Sequence, residues 1–410
     1  MRGTGRLPWP ALALLALGFS ACATGEGATG AVRLTGRART LPVGTLTASD
    51  VGAAQRAFGL DVLSALCHTT HSANLTLSPA SLADLLGLLD AGAGGVTRHR
   101  LAHLLHLPAW GQDLIAAQQA RTRSLAALAS DPHARVLVSN HVWAQAGARP
   151  QQTYLDDIRT AFDADLRTVD FAGAPAAATD SINAAVDHDT EGLIPTLFDR
   201  PLDAGTVDVL TNAVYLDARW QQAFDPHSDD ATFTTAAGPV TVPMMSTTQV
   251  FDWTAADGWQ AATLPYQGGT LSAVAMLPPE ASSACTVPSA SALDTLLGRA
   301  MASTTVRLPR MRLEQTHQLL PTLTRLGLPA DGDYSAIHPG AFLSQVVQKV
   351  VVEVDESGTR AAAATGGAMA TSARLDQHHL SFDRPFLFLV RDTATGSPLF
   401  LSWVGDPTRS

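Results

Sequence analysis

The side chains that could do chemistry in this chain are scattered. His68 and His71, and again His103 and His106, stand three residues apart, so each pair would share one helix face and could hold a metal ion. Neither pair has a nearby acid or cysteine that completes a ligand set with it, so helical histidines at or near the surface are expected, with no metal and no other cofactor. His378 and His379 adjoin in a stretch that reads as a loop. There is no GxSxG elbow, no HExxH, no phosphate-binding glycine loop and no CxxC. Serines, histidines and aspartates occur throughout, but no spacing places three of them together as a nucleophile, base and orienting acid. Cys67 and Cys285 read as isolated thiols, Cys67 buried on a helix. A single pair in 410 residues is no disulfide scaffold. An enzyme is therefore not expected.

The elements available to position any site come in two blocks. Apolar residues at helical spacing predict helices over 51–68, 96–107, 116–128, 154–162 and 180–197. Asn74–Gly95 reads as a short strand and then a helix, with Ser78 placed to cap it, Pro79 in the first turn and glycines to end it. Val136–Trp143 reads as a strand. From Val207 onward strands dominate: 207–215, 231–234, 240–245, 260–265, 271–277, 305–313, 350–354, 386–391 and 399–404, with one helix over 318–326 closed by Gly327. Helices first and strands later, without β-α-β alternation, indicate an α+β domain. No repeat or second domain boundary follows Asp50.

Composition narrows the function. The net charge is −10 and Lys349 is the only lysine. With no basic stripe, a nucleic-acid partner is not expected. Residues 1–21 read as a signal peptide: Arg2 and Arg6, an apolar run from Leu7 to Phe19 too short for a comfortable membrane span, then small residues. The stretch FSAC, ending at Cys22, resembles the lipobox of bacterial lipoproteins, although Phe19 replaces the usual leucine. This predicts export, lipidation of Cys22 and an extracellular protein whose only membrane contact is that anchor. Residues 22–49, rich in Gly, Ala and Thr, read as a flexible tether, and 50–410 as the folded domain.

One stretch fits none of these patterns. VVVEVDESGTRAAAATGGAMATSARL begins as a strand at Val350 and after Val354 offers no bulky core residue before Met369. At period two, Thr359, Ala361, Ala363, Thr365 and Gly367 form one small uncharged face, and Arg360 points to the other. A segment built this way could enter a sheet as an added strand, one face on the core. Charge or bulk on the first face would block it.

The flanking motifs decide how to read this segment. VDESGTRAAAAT (354–365), NLTLSPASLADLLGLLDAGAGGVT (74–97), INAAVDHDTEGLIPTLF (182–198), LTNAVYLDARW (210–220), TLPYQGGTLSAVAMLPPE, VRLPRMRLE, DRPFLFLVRD and SPLFLSWVGDP fall in one order along Asp50–Pro407. Together they resemble the serpin family. The resemblance implies three β-sheets, eight or nine helices and an exposed reactive loop. It also implies a monomeric suicide substrate: a serine protease (or a cysteine protease) cuts the loop, and the loop then inserts into the central sheet. A non-inhibitory binding or structural protein is the alternative, and the small-residue hinge argues against it.

By motif, Glu356, Gly358 and Thr359 match the hinge, and Ala361, Ala362, Ala363, Ala364 and Thr365 the small-residue run. Ser78, Ser81 and Asn212 match the buried polar group under the sheet, and Trp220 the point where insertion begins. Gln348 stands where the family usually has histidine, which puts that network in doubt. Arg360 replaces an acid, Asp217–Ala218 a Lys-Gly and Ala185 a tryptophan. Family spacing from Gly358 puts the reactive bond at Ser372–Ala373, implying an elastase- or subtilisin-like target. A shorter spacing counted back from Pro385 gives Arg374–Leu375, implying a trypsin-like one.

Overall fold

A computed structural model of the chain describes residues 30–70, 72–128, 132–226, 228–279, 284–359 and 377–410. Among them, eight helices and sixteen strands follow in the order β1 Val32–Leu34, α1 Ala48–Thr69, β2 Asn74–Leu77, α2 Pro79–Asp90, α3 Gly95–Leu104, α4 Gln112–Leu128, β3 Ala134–Gln145, α5 Gln152–Phe162, β4 Leu166–Val169, α6 Pro175–Asp189, β5 Asp208–Arg219, β6 Asp229–Thr235, β7 Gly238–Ala256, β8 Trp259–Pro265, β9 Leu271–Leu277, α7 Ala290–Leu296, β10 Met301–Pro309, β11 Met311–Gln318, α8 Leu320–Arg325, β12 Leu343–Val354, β13 Gly358–Thr359, β14 Gln377–Ser381, β15 Phe386–Asp392 and β16 Pro398–Val404. This is the expected α+β arrangement.

The first sheet has strand order β1-β4-β3-β5-β13-β12-β11, with β5 and β12 also paired directly. The second runs β14-β10-β7-β8-β9-β15-β16-β2, with β6 on β7. The third sheet implied by the family resemblance is continuous with the second. The 19-residue β7 pairs with β10 over Met244–Asp252 and with β8 over Asp252–Ala256, so one strand serves both halves.

Several local expectations change. The helix over 180–197 starts earlier, at Pro175, and stops at Asp189, because Glu191 and Gly192 take left-handed backbone conformations. The strand over 305–313 is two strands split at Arg310, whose main-chain N–H makes the last bond to β7, to Pro243 O, before the chain passes on to pair with β12. Ser78 is the N-terminal cap residue of α2, but its hydroxyl makes no capping bond. The capping box is at α1, where Thr47 and Asp50 bond each other's main-chain N–H.

The tether read over 22–49 is docked on the domain from Val32 onward. β1 pairs antiparallel with β4, Arg33 Nε donates to Asp165 at 2.7 Å, and Arg37 N to Asp156 Oδ1 at 2.8 Å. Cys67 and Cys285 are not isolated thiols. They form a disulfide, with Cα atoms 5.5 Å apart, across a sequence separation of 218. Both pack against the same apolar cluster around α1 and α7, an adjacency that distance in sequence conceals.

Candidate functional site

The sequence motifs converge on the seam between β5 and β12. The two strands pair in parallel from Leu343↔Asp208 to Val351↔Tyr215. Above that the seam forks. β12 ends at Val354, Asp355 and Gly358 bond each other's main chains in a tight turn, and the chain returns as β13 between the two strands. The Asp355 carboxylate fixes the turn by accepting from Ser357 N (2.7 Å) and Gly358 N (3.1 Å). Gly358 must be glycine for want of space: a Cβ there would lie 2.1 Å from Ala218 O.

Thr359, opposite Ala218, is fully buried, and its hydroxyl meets the Tyr266 hydroxyl at 2.5 Å. Tyr266 stacks on Trp220 with ring centroids 4.4 Å apart. Trp220 ties the fork to the turn, its indole N–H donating to Asp355 O and its main-chain N–H to Ser357 O, both at 2.9 Å. Glu356 is anchored by Arg310, whose Nε lies 2.7 Å from each carboxylate oxygen, and by the Ser228 hydroxyl. Burial alone would push the Glu356 carboxyl up, but the hydrogen bonds from Arg310 and Ser228 outweigh it and hold the group below its usual range.

Half-way down, Gln348 does what the departure from histidine left in question. Its carbonyl accepts from Ser78 N at 3.0 Å, and its amide donates to Ser78 O (3.1 Å) and to Asn212 Oδ1 (2.5 Å). Asn212 donates to Asn140, which in turn donates to Ser81 O at 3.3 Å. Ser78 and Ser81 thus enter this network through their main chains, and the Ser78 hydroxyl is buried without a partner. One chain of amides crosses β12, β5 and β3 and reaches the start of α2.

The outer face of the seam is covered by α6. Ile182, Ala185 and Val186 pack on Trp143 of β3, on Val209, Ala213 and Tyr215 of β5, and on Val347 and Val351 of β12. At the helix end, Asp189 Oδ2 accepts from the Ser139 hydroxyl (2.9 Å) and the His141 ring (2.6 Å). Burial lowers the His141 ring below its usual value against the pull of Asp189. The Asp189 carboxyl, which burial would push up, is brought down to about 2 by its hydrogen bond from and attraction to His141 and by its bond from Ser139. Serine and histidine meet the same oxygen and not each other, so no nucleophile is activated here. Lys349 reaches from β12 to Thr196 O (3.2 Å), beyond α6.

The structure therefore brings together Glu356, Gly358, Thr359 and Trp220 at the fork and Ser78, Ser81, Asn212 and Gln348 in the middle. Cys22, Arg360, Ala361–Thr365 and the reactive-bond candidates Ser372, Ala373, Arg374 and Leu375 lie outside the described residues. Arg310, Ser228, Tyr266 and Asn140 escaped the sequence reading. His106 pairs with Asp61 (2.7 Å) and not with His103. No group of three or more metal-ligating side chains occurs among the described residues, and no helix among them is long and apolar enough to cross a membrane.

A family model described as Serpin (serine protease inhibitor) matches residues 53–407. Leukocyte elastase inhibitor A of Mus musculus is 30% identical over 385 residues, covering 87% of this chain and 99% of its own. Iripin-3 of Ixodes ricinus is 33% identical, covering 81% and 88%. Among solved structures, native tengpin, a thermophilic serpin, superposes with a TM-score of 0.80 at 21% identity, covering 92% of this chain and all of tengpin.

Proposed function

As this chain belongs to the serpin family of serine protease inhibitors, we propose that it traps an extracellular serine protease as an acyl-enzyme by inserting its cut loop between β5 and β12. The observation that carries the reading is β13: two hinge residues already occupy the seam, with Thr359 fully buried and bonded to Tyr266, which stacks on Trp220. The chemistry is the protease's own. Its serine attacks the carbonyl carbon of the reactive bond, the new amine leaves, and the segment that begins at Thr359 is freed at its far end.

Strand pairing drives the insertion. It breaks one ladder, the eight register pairs of β5 with β12, and makes two. At about 1 kcal/mol net per hydrogen bond, the extra ladder is worth on the order of 5–10 kcal/mol. The alternating small residues after Thr359 let the new strand enter without burying charge.

Ser372–Ala373 is the bond we assign first, with an elastase- or subtilisin-like target. The name of the Mus musculus relative, leukocyte elastase inhibitor A, supports a protease-inhibitory role and the elastase assignment. Arg374–Leu375, with a trypsin-like target, is the competing assignment. A Cys67–Cys285 disulfide fits the oxidising compartment that the N-terminal signal implies, and we place the protein outside the cell on a lipidated Cys22. The test is incubation with pancreatic elastase, subtilisin and trypsin. A complex that survives SDS, with a released C-terminal peptide whose mass begins at Ala373 or Leu375, is the expected result. Cutting without any such complex contradicts the reading.

A further inference from the structure

The bottom of the seam carries a second polar cluster, which none of the family motifs includes. Asp208, the first residue of β5, is almost fully buried, as is His338 in the loop before β12. His338 Nε2 lies 2.9 and 3.1 Å from the two carboxylate oxygens, and Phe342 N donates to Asp208 Oδ2 at 3.0 Å. One residue earlier, Val207 N donates to the Ser344 hydroxyl at 3.0 Å. Each of these bonds has one partner on the β5 side of the seam and one on the β12 side.

The register shows when they are challenged. Thr359 sits opposite Ala218, antiparallel to β5, and ten positions separate Ala218 from Asp208. A strand continuing that register reaches Asp208 ten residues beyond Thr359, which in this sequence is Met369. Along β5 the even positions face the interior: Leu210, Val214 and Leu216 lie in the inner clusters, while Val209, Ala213 and Tyr215 lie under α6. Asp208 therefore shares a face with Thr359 and with the incoming methionine. A strand at that level moves β5 and β12 apart by one further spacing, about 4.8 Å, beyond hydrogen-bond reach for all four contacts. Methionine brings no donor to replace them. Desolvation already pushes the Asp208 carboxyl up even with His338 beside it, so separating the pair leaves a buried acid without its main partner.

We propose that the His338–Asp208 pair, with Phe342 and Ser344, is a clasp that only the last residues of an inserting strand break, so that it holds back completion of insertion and makes His338 a positioning residue for inhibition. This rests on the insertion reading above, and the experiment separates the two. Wild type and His338→Leu are each compared in native form and after the loop is cut by subtilisin or elastase, by denaturant midpoint and by the number of inhibitor molecules consumed per protease trapped.

The clasp exists in the native form and is broken in the cut form. His338→Leu should therefore lower the native midpoint and leave the cut midpoint at the wild-type value. Faster completion should also bring the number consumed closer to one. Equal losses in both forms would overturn the clasp while leaving insertion intact. No rise in the wild-type midpoint on cutting would overturn insertion itself and the clasp with it. Asp208→Asn, which keeps the shape but removes the buried charge, gives the same comparison if His338→Leu does not fold.

Discussion

At the top of the β5–β12 seam two residues, Gly358 and Thr359, already separate the strands, and their hold is an aromatic stack, a turn and one carboxylate gripped by Arg310. Lower down the same strands pair directly, and buried amides and then a buried histidine–aspartate hydrogen bond cross between them. The top is wedged open by small residues at no polar cost. The middle and bottom are shut by polar bonds that an entering strand must replace. If a strand inserts as proposed, this arrangement would admit it from the top and resist it more as it descends.

The largest effect should come from closing the open end. Thr359→Arg would place a charge at a fully buried position beside Tyr266 and cost several kcal/mol. The variant should be cut by the protease at a normal rate and trap none of it, read as loss of the SDS-stable band. Undiminished trapping would break the contrast between the two ends. Gly358→Ala, whose Cβ would fall on Ala218 O, should expel β13 and impair trapping through the same region. Hydrogen exchange at the Gly358 and Thr359 amides would rise.

Loosening the closed part should act on stability instead. Gln348→Ala strips partners from Ser78 and Asn212 and should lower native stability by about 3 kcal/mol, measured as a denaturant midpoint. Gln348→His, with two ring nitrogens, should recover part of that loss. The smallest effect is a pH dependence at the fork. The Glu356 carboxyl is held below its usual value in the folded protein, so its contribution is present above the unfolded value, roughly pH 4.3, and is lost as pH falls through the folded one. The stability gap between wild type and Glu356→Gln should be full at pH 6 and shrink below pH 4.

Much of this seam was legible in the sequence. The hinge pair Gly358–Thr359 could be placed from the family motif around it, while the alternation after Thr359 lies outside the described residues. Most helices and strands of the core followed from apolar spacing, but β4 and α7 did not. What escaped was contact between elements far apart in sequence. Arg310 reaches Glu356 only because two strands break around it, and nothing local marks Asp208 and His338 as neighbours. Cys67 and Cys285 meet because α1 and the segment after β9 share a core. The docked N-terminal segment was misread for a related reason: its composition is that of a tether, and its strand is defined by the edge of β4 and by Asp165, not by its own propensity.

The central claim is that the segment after Thr359 becomes a strand between β5 and β12. A crystal structure of the protein after cutting by its target protease tests this most directly. Insertion predicts that Leu210 and Val346, now register partners, move from one strand spacing apart to two, about 9.6 Å, with a new strand between them that ends beside Asp208. If β5 and β12 remain paired from Asp208 to Tyr215 in the cut protein, the account is wrong.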